Sequence, residues 1–133
     1  MSFNLYKKDK VDNFDLMLIY KVGIFYEVYN EDAYILHYLT RYNIRKYQKY
    51  HRLGFPIQKL NAIKRLLENN NIGYKIEDIS SIKKVIINSQ YFNVLTKSID
   101  MVDKEMLINM ITNKLEFTEV ENLKLIYFEM DIN

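Results

Sequence analysis

The chain has 133 residues, 49% of them hydrophobic and 27% charged, with one proline, three glycines and no cysteine. That is enough chain for one self-standing core, and it is too rich in Ile, Leu, Tyr and Phe, at a formal charge of only +2, to be disordered. The missing thiols exclude cysteine catalysis, cysteine-bound zinc and a disulfide framework, and no apolar run reaches the ~18 residues of a membrane span.

Met1 to Asp15 is polar, with three acids among three lysines, and reads as neither signal nor transit peptide. Within it, Leu5 to Asp15 is expected to form a short helix or irregular lead-in. Met17 to Val22 and Phe25 to Tyr29 are β-prone runs joined by Gly23-Ile24, a Gly-X pair of the kind that makes a type II′ hairpin turn. Period-two alternation puts Phe25, Glu27 and Tyr29 on one face of the second strand and Tyr26 and Val28 on the other. Burying an unpaired carboxylate beside a phenyl ring is costly, so the Phe25/Glu27 face is expected to be exposed or reserved for a ligand. A Phe25 ring folded into the core is the competing arrangement.

Glu31 to Arg41 reads as a helix with acids in its first turn and Ile35, Leu36, Leu39 and Tyr42 for the core. Ile44 to Leu53 alternates basic with apolar or aromatic residues and is a strand candidate. Gly54-Phe55-Pro56 breaks that pattern, a helix from about Ile57 to Asn69 follows, and Tyr74 to Glu77 and Lys84 to Asn88 are two further strands. Beyond them, Asp100 is expected to cap one helix and Thr118-x-x-Glu121 to open another, although Leu123 to Met130 also fits a buried strand.

Charge is unevenly spread. Residues 1–98 hold 16 Lys/Arg against 9 Asp/Glu, a balance of +7, whereas residues 99–133 hold 3 against 8, a balance of −5. From Arg41 to Arg65 eight cations occur with no acid between them, interleaved with Tyr42, Tyr47, Tyr50 and Phe55. Such a segment is the composition of a nucleic-acid surface, where cations neutralise phosphates and rings stack on bases. It is equally the composition of a solvated basic face over packed tyrosines, and the segment alone leaves both open.

Recognisable catalytic chemistry is scarce. No glycine precedes a lysine, which rules out a P-loop, and the three glycines at 23, 54 and 73 are too far apart for a GxGxxG loop. His37 and His51 lie fourteen residues apart in no metal or nucleophile motif, and a structural or surface role is expected for each. Glu77-Asp78 with Lys83 and Lys84 is the nearest approach to a nuclease cluster, and its spacing is loose.

The run Ile19-Tyr20-Lys21-Val22-Gly23-Ile24-Phe25-Tyr26-Glu27-Val28-Tyr29, then Asp32-Ala33, then Gly54-Phe55-Pro56 leading into a helix, resembles the N-terminal mismatch-recognition domain of MutS-type DNA repair proteins. Gly73-Tyr74-Lys75-Ile76-Glu77-Asp78 and Lys84-Val85-Ile86-Ile87 resemble its next two strands, so the likeness spans roughly residues 5–93. It implies an α/β (α+β) fold, a mixed β-sheet flanked by helices, over residues 1–98; residues 99–133, expected from their own pattern to be an acidic, helical C-terminal extension, have no counterpart in the resemblance. It also implies that Phe25 stacks on a mispaired base from the minor groove and that Glu27 hydrogen-bonds that base. The family's usual Gly-Asp in the hairpin turn is Gly23-Ile24 here.

The leading expectation is therefore a non-enzymatic DNA-binding protein, a stand-alone copy of the module without clamp or ATPase, with no cofactor and no metal. Phosphate contacts are expected from Arg41, Arg45, Lys46, Lys49 and Arg52. Its expected partner is a mismatched or distorted duplex, and a protein partner or second copy would meet the acidic end. The expected setting is soluble and intracellular, in cytoplasm, nucleoid or organelle matrix, as for mobile-element or organellar genes. The alternative is a structural or adaptor protein that keeps the fold and acts through protein contacts.

Overall fold

A computed structural model describes residues 2–78, 81–99, 108, 111 and 112. Its six-stranded mixed sheet has the order β3-β4-β2-β1-β5-β6, with β1 Leu16–Val22, β2 Phe25–Tyr29, β3 Arg45–Lys46, β4 His51–Pro56, β5 Gly73–Asp78 and β6 Ser81–Val85. Four helices flank it: α1 Ser2–Asp12, α2 Asn30–Thr40, α3 Leu60–Asn69, entered by a single 3-10 turn at Ile57–Lys59, and α4 Tyr91–Ile99. β1 and β5 are parallel and every other neighbouring pair is antiparallel. β1 lies inside the sheet with both faces covered, which explains why Leu16 to Tyr20 is a continuous buried run without alternation.

Two cores sandwich the sheet. On one side Met17, Ile19, Tyr26, Val28 and Phe55 pack against α2, α3 and α4 through Ile35, Leu36, Ile63, Leu67, Val94 and Leu95. On the other, α1 lays Phe3 and Tyr6 over Leu16, Leu18, Tyr20 and Tyr29. This second core is smaller and leaves the Phe25 end of the face open.

A buried polar cluster ties the layers together. Asp32, in the first turn of α2, is fully buried and accepts hydrogen bonds from Lys10 Nζ at 2.7 Å, Tyr91 Oη at 2.6 Å and the Leu18 amide at 3.0 Å. Lys10 also donates to the Leu16 carbonyl at 2.6 Å, and Tyr6 donates to Glu31 at 3.2 Å. The acids predicted for this first turn thus face inward, each satisfied by donors from other elements.

Three sequence readings need correction. Ile44 to Leu53 is not one strand but a hairpin, β3 and β4, closed by the Tyr47 amide donating to the Tyr50 carbonyl at 2.9 Å. Gly54-Phe55-Pro56 does not break the strand; it is the second half of β4 and pairs with β2. The strand expected at Lys84 to Asn88 lies earlier, at Ser81–Val85. The helix α4 was not anticipated. The helices predicted from Asp100 and Thr118, and the strand alternative at Leu123 to Met130, fall outside the described residues, apart from the helical Ile108, Ile111 and Thr112. Among the described residues no helix is long and apolar enough to cross a membrane.

Candidate nucleic-acid interface

The β1–β2 hairpin turns on Gly23, whose φ of +62° suits a residue without Cβ, while Ile24 does not share the positive angle. That is the pattern of the type II′ turn, and it fixes the register Val22 to Phe25 and Tyr20 to Glu27. The Ile57 amide donates to the Ile24 carbonyl at 3.2 Å and fastens the turn to the end of β4.

Alternation along β2 then operates as the sequence suggested, with one refinement. Tyr26 and Val28 point into the larger core, and Phe25, Glu27 and Tyr29 share the opposite face. Along that face exposure falls steeply, from 44% at Phe25 to 9% at Glu27 and 2% at Tyr29, because α1 covers only its far end. Phe25 is outside the core.

Glu27 is buried yet fully paired. Its Oε1 lies 3.1 Å from Arg52 Nη1, and its Oε2 accepts the Tyr29 hydroxyl at 2.6 Å. Burial, then the hydrogen bond to Glu27 and that carboxylate's charge, push the Tyr29 hydroxyl well above its usual pKa, so it stays protonated and keeps donating. A carboxylate offers about four lone-pair sites, so Glu27 retains capacity for a further donor while both protein contacts persist. Arg52 partly offsets the charge that would otherwise repel a phosphate chain.

A groove of about 710 Å³ runs along β4 and brings together Phe25, Glu27, Arg41, Arg45 and Arg52, five of the seven residues singled out in the sequence. Arg45 and Arg52 face each other across β3 and β4, and the Arg52 guanidinium lies 5.1 Å from the Tyr47 ring centre. Arg41 sits in the left-handed position that ends α2, its amide donating to the His37 carbonyl at 2.8 Å. Lys46 and Lys49 do not line this groove; both are exposed on the β3–β4 hairpin beyond it. Six lining residues were not chosen from the sequence as contacts: Tyr42, Asn43, Lys59 and the three of the Gly54-Phe55-Pro56 motif, which was read as a break between strand and helix. Lys59 was visible as part of the acid-free basic run, whereas Tyr42 and Asn43 lie in the loop that His37 Nδ1, 2.7 Å from the Tyr42 carbonyl oxygen, ties to the end of α2.

The other chemistry-bearing residues are placed elsewhere. His51 is buried, with Nδ1 3.2 Å from the Tyr34 hydroxyl and its amide donating to Asn30 Oδ1. Asp78 meets Lys21 at 3.5 Å, and among the described residues no three His, Asp or Glu side chains converge as metal ligands.

The family model described as MutS domain I matches residues 2–108, most of the 133. The chain belongs to the MutS domain I family. No curated protein matches it. In this MutS domain I chain, the Phe25-Tyr26-Glu27 motif occupies the open end of the sheet, and the Gly54-Phe55-Pro56 motif is the strand beside it. The two motifs are hydrogen-bonded neighbours, Phe25 opposite Pro56 and Glu27 opposite Gly54, which accounts for their joint appearance in the sequence.

Proposed function

We propose that this chain is a non-enzymatic DNA-binding module that recognises a mismatched or distorted duplex through Phe25 and Glu27. The supporting observation is the pairing of an exposed phenyl ring with a buried carboxylate two residues along the same strand face, at the lip of a cation-lined groove. An apolar wedge unstacks a base step at a cost of a few kcal/mol, and the cost is least where pairing is already broken, so the wedge itself discriminates. Glu27, held by Arg52 and Tyr29, accepts a hydrogen bond from the displaced base and contributes selectivity.

Affinity comes from Arg41, Arg45, Lys46 and Lys49, with Arg52 shared between the DNA and Glu27. Each neutralised phosphate steepens the salt dependence by about 0.9 in log K against log salt. Anisotropy titrations of a labelled mismatched duplex over a salt series are expected to give a slope of about −3 to −4, and Arg45→Gln should flatten it by about 0.9. Binding that is insensitive to salt, or an Arg45→Gln slope equal to wild type, would remove this assignment.

A further inference from the structure

The opposite end of the sheet holds a second concentration of positive charge. A notch of about 450 Å³ between α3 and β6 is lined by Asn61, Lys64, Arg65, Glu68 and Lys83. Lys64 and Lys83 approach closely enough that the Lys64 ammonium is held below its usual pKa. The neighbouring Lys83 amine is the largest cause, followed by desolvation, while the carboxylate of Glu68 acts in the opposite direction. The acid in the notch, Glu68, accepts the Tyr74 hydroxyl at 2.6 Å on Oε1. Glu68 attracts Lys64, so the notch sets three cations, Lys64, Arg65 and Lys83, against one carboxylate. On the other face of the same strands Lys75 and Lys84 are direct cross-strand neighbours.

Like charges set opposite one another across a strand pair, or drawn together in a notch, destabilise a fold. Here the arrangement occurs on both faces of one sheet edge. An anion seated between Lys64 and Lys83 offsets the repulsion, and tetrahedral phosphate has the charge and the acceptor oxygens to bridge two ammonium groups and the Arg65 fork. We propose that Lys64, Arg65 and Lys83 form a phosphate-binding site separate from the Phe25 groove. The phosphate has two possible sources, a nucleic-acid backbone or a free phosphate group, and only the first rests on the DNA reading above.

The full chain carrying ¹³C-labelled lysine is titrated with sodium phosphate and, at matched ionic strength, with sodium chloride, following the lysine ε-methylene shifts by NMR. Lys64 and Lys83 are expected to move together and saturate with phosphate only, and the saturating response is expected to be lost in Lys64→Gln/Lys83→Gln. Equal, unsaturated shifts in the two salts would overturn the site. In a second arm, the salt slope of duplex binding is compared between wild type and this double variant. A slope flatter by about 0.9 or more assigns the phosphate to the backbone. An unchanged slope, with phosphate saturation intact in wild type, assigns it to a free phosphate. A wild type that saturates with phosphate but binds no duplex would sink the DNA reading while leaving this site standing.

Discussion

Asp32 shows how much of this fold depends on single polar side chains. It is fully buried and holds Lys10, Tyr91 and the Leu18 amide, which belong to α1, α4 and β1. Removing it leaves a buried ammonium without a counter-charge, next to the Leu16 carbonyl and the Tyr91 ring, a situation that typically costs about 3–5 kcal/mol. Urea denaturation of Asp32→Ala should show a loss of that size, and a loss below about 1 kcal/mol would mean that the cluster is not stabilising. The same cluster gives a pH dependence. Tyr6 and Tyr91 are raised well above the ordinary tyrosine value, chiefly by burial and then by Glu31 and Asp32. A group whose folded pKa is raised contributes its full stability below its unfolded pKa, about 10 for tyrosine, and loses it as pH climbs past that value. Stability is therefore expected to be flat on this account up to about pH 9 and to fall above pH 10, with tyrosinate absorbance rising together with loss of helical circular dichroism. Tyrosines that all ionise near pH 10 with the fold intact would contradict these placements. At the candidate site, the exposure of Phe25 was legible because Glu27 shares its face and an unpaired carboxylate resists burial. The partner of Glu27 was not legible: Arg52 is 25 residues away and reaches it only because β4 lies beside β2.

Among the elements, the β1–β2 hairpin and α2 follow from local signals, a Gly-X turn and first-turn acids. The β3–β4 hairpin was hidden because its turn, Tyr47 to Tyr50, contains neither Gly nor Pro. Stacking stabilises it instead, Tyr47 on Tyr50 at 5.0 Å and Tyr50 on Phe3 of α1 at 4.4 Å. Conversely, Gly54 and Pro56 look like breakers but are tolerated because the second half of β4 has a ladder partner on only one side, β2. The signal for α4 was present and unused: Ser89 accepts the Tyr91 amide at 3.0 Å, and Tyr91, Val94, Leu95 and Ser98 follow at helical spacing. Gly73 is the element-level test. A Cβ there would stand 2.7 Å from Leu16 Cδ2 and 2.8 Å from the Val85 carbonyl oxygen, and a backbone carbonyl inside a ladder has little room to yield. Gly73→Ala should cost about 1–3 kcal/mol by chemical denaturation and speed hydrogen exchange in β5 and β6 first. Wild-type stability with unchanged exchange would contradict the packing of β1 against β5 and β6.

Across the whole molecule, the +2 formal charge conceals an organised distribution. The basic run from Arg41 to Lys59 gathers around β3 and β4, and Lys64, Lys75, Lys83 and Lys84 gather at the β6 end, about 20 Å away across four strand spacings. Such fields draw polyanions toward the sheet ends without choosing among them. In the proposed function, choice rests on Phe25, an aromatic ring left outside the core beside the held carboxylate of Glu27. The central claim is therefore tested by measuring, at a single salt concentration, the affinity of wild type and Phe25→Ala for three DNAs: a matched duplex, the same duplex with one mismatch, and its single strand. Stacking on a base is worth about 1–3 kcal/mol, so wild type is expected to prefer the mismatch roughly tenfold, with Phe25→Ala binding matched and mismatched duplexes alike and keeping its circular dichroism spectrum. A folded Phe25→Ala that retains the wild-type preference, or a wild type that has none, would contradict the account.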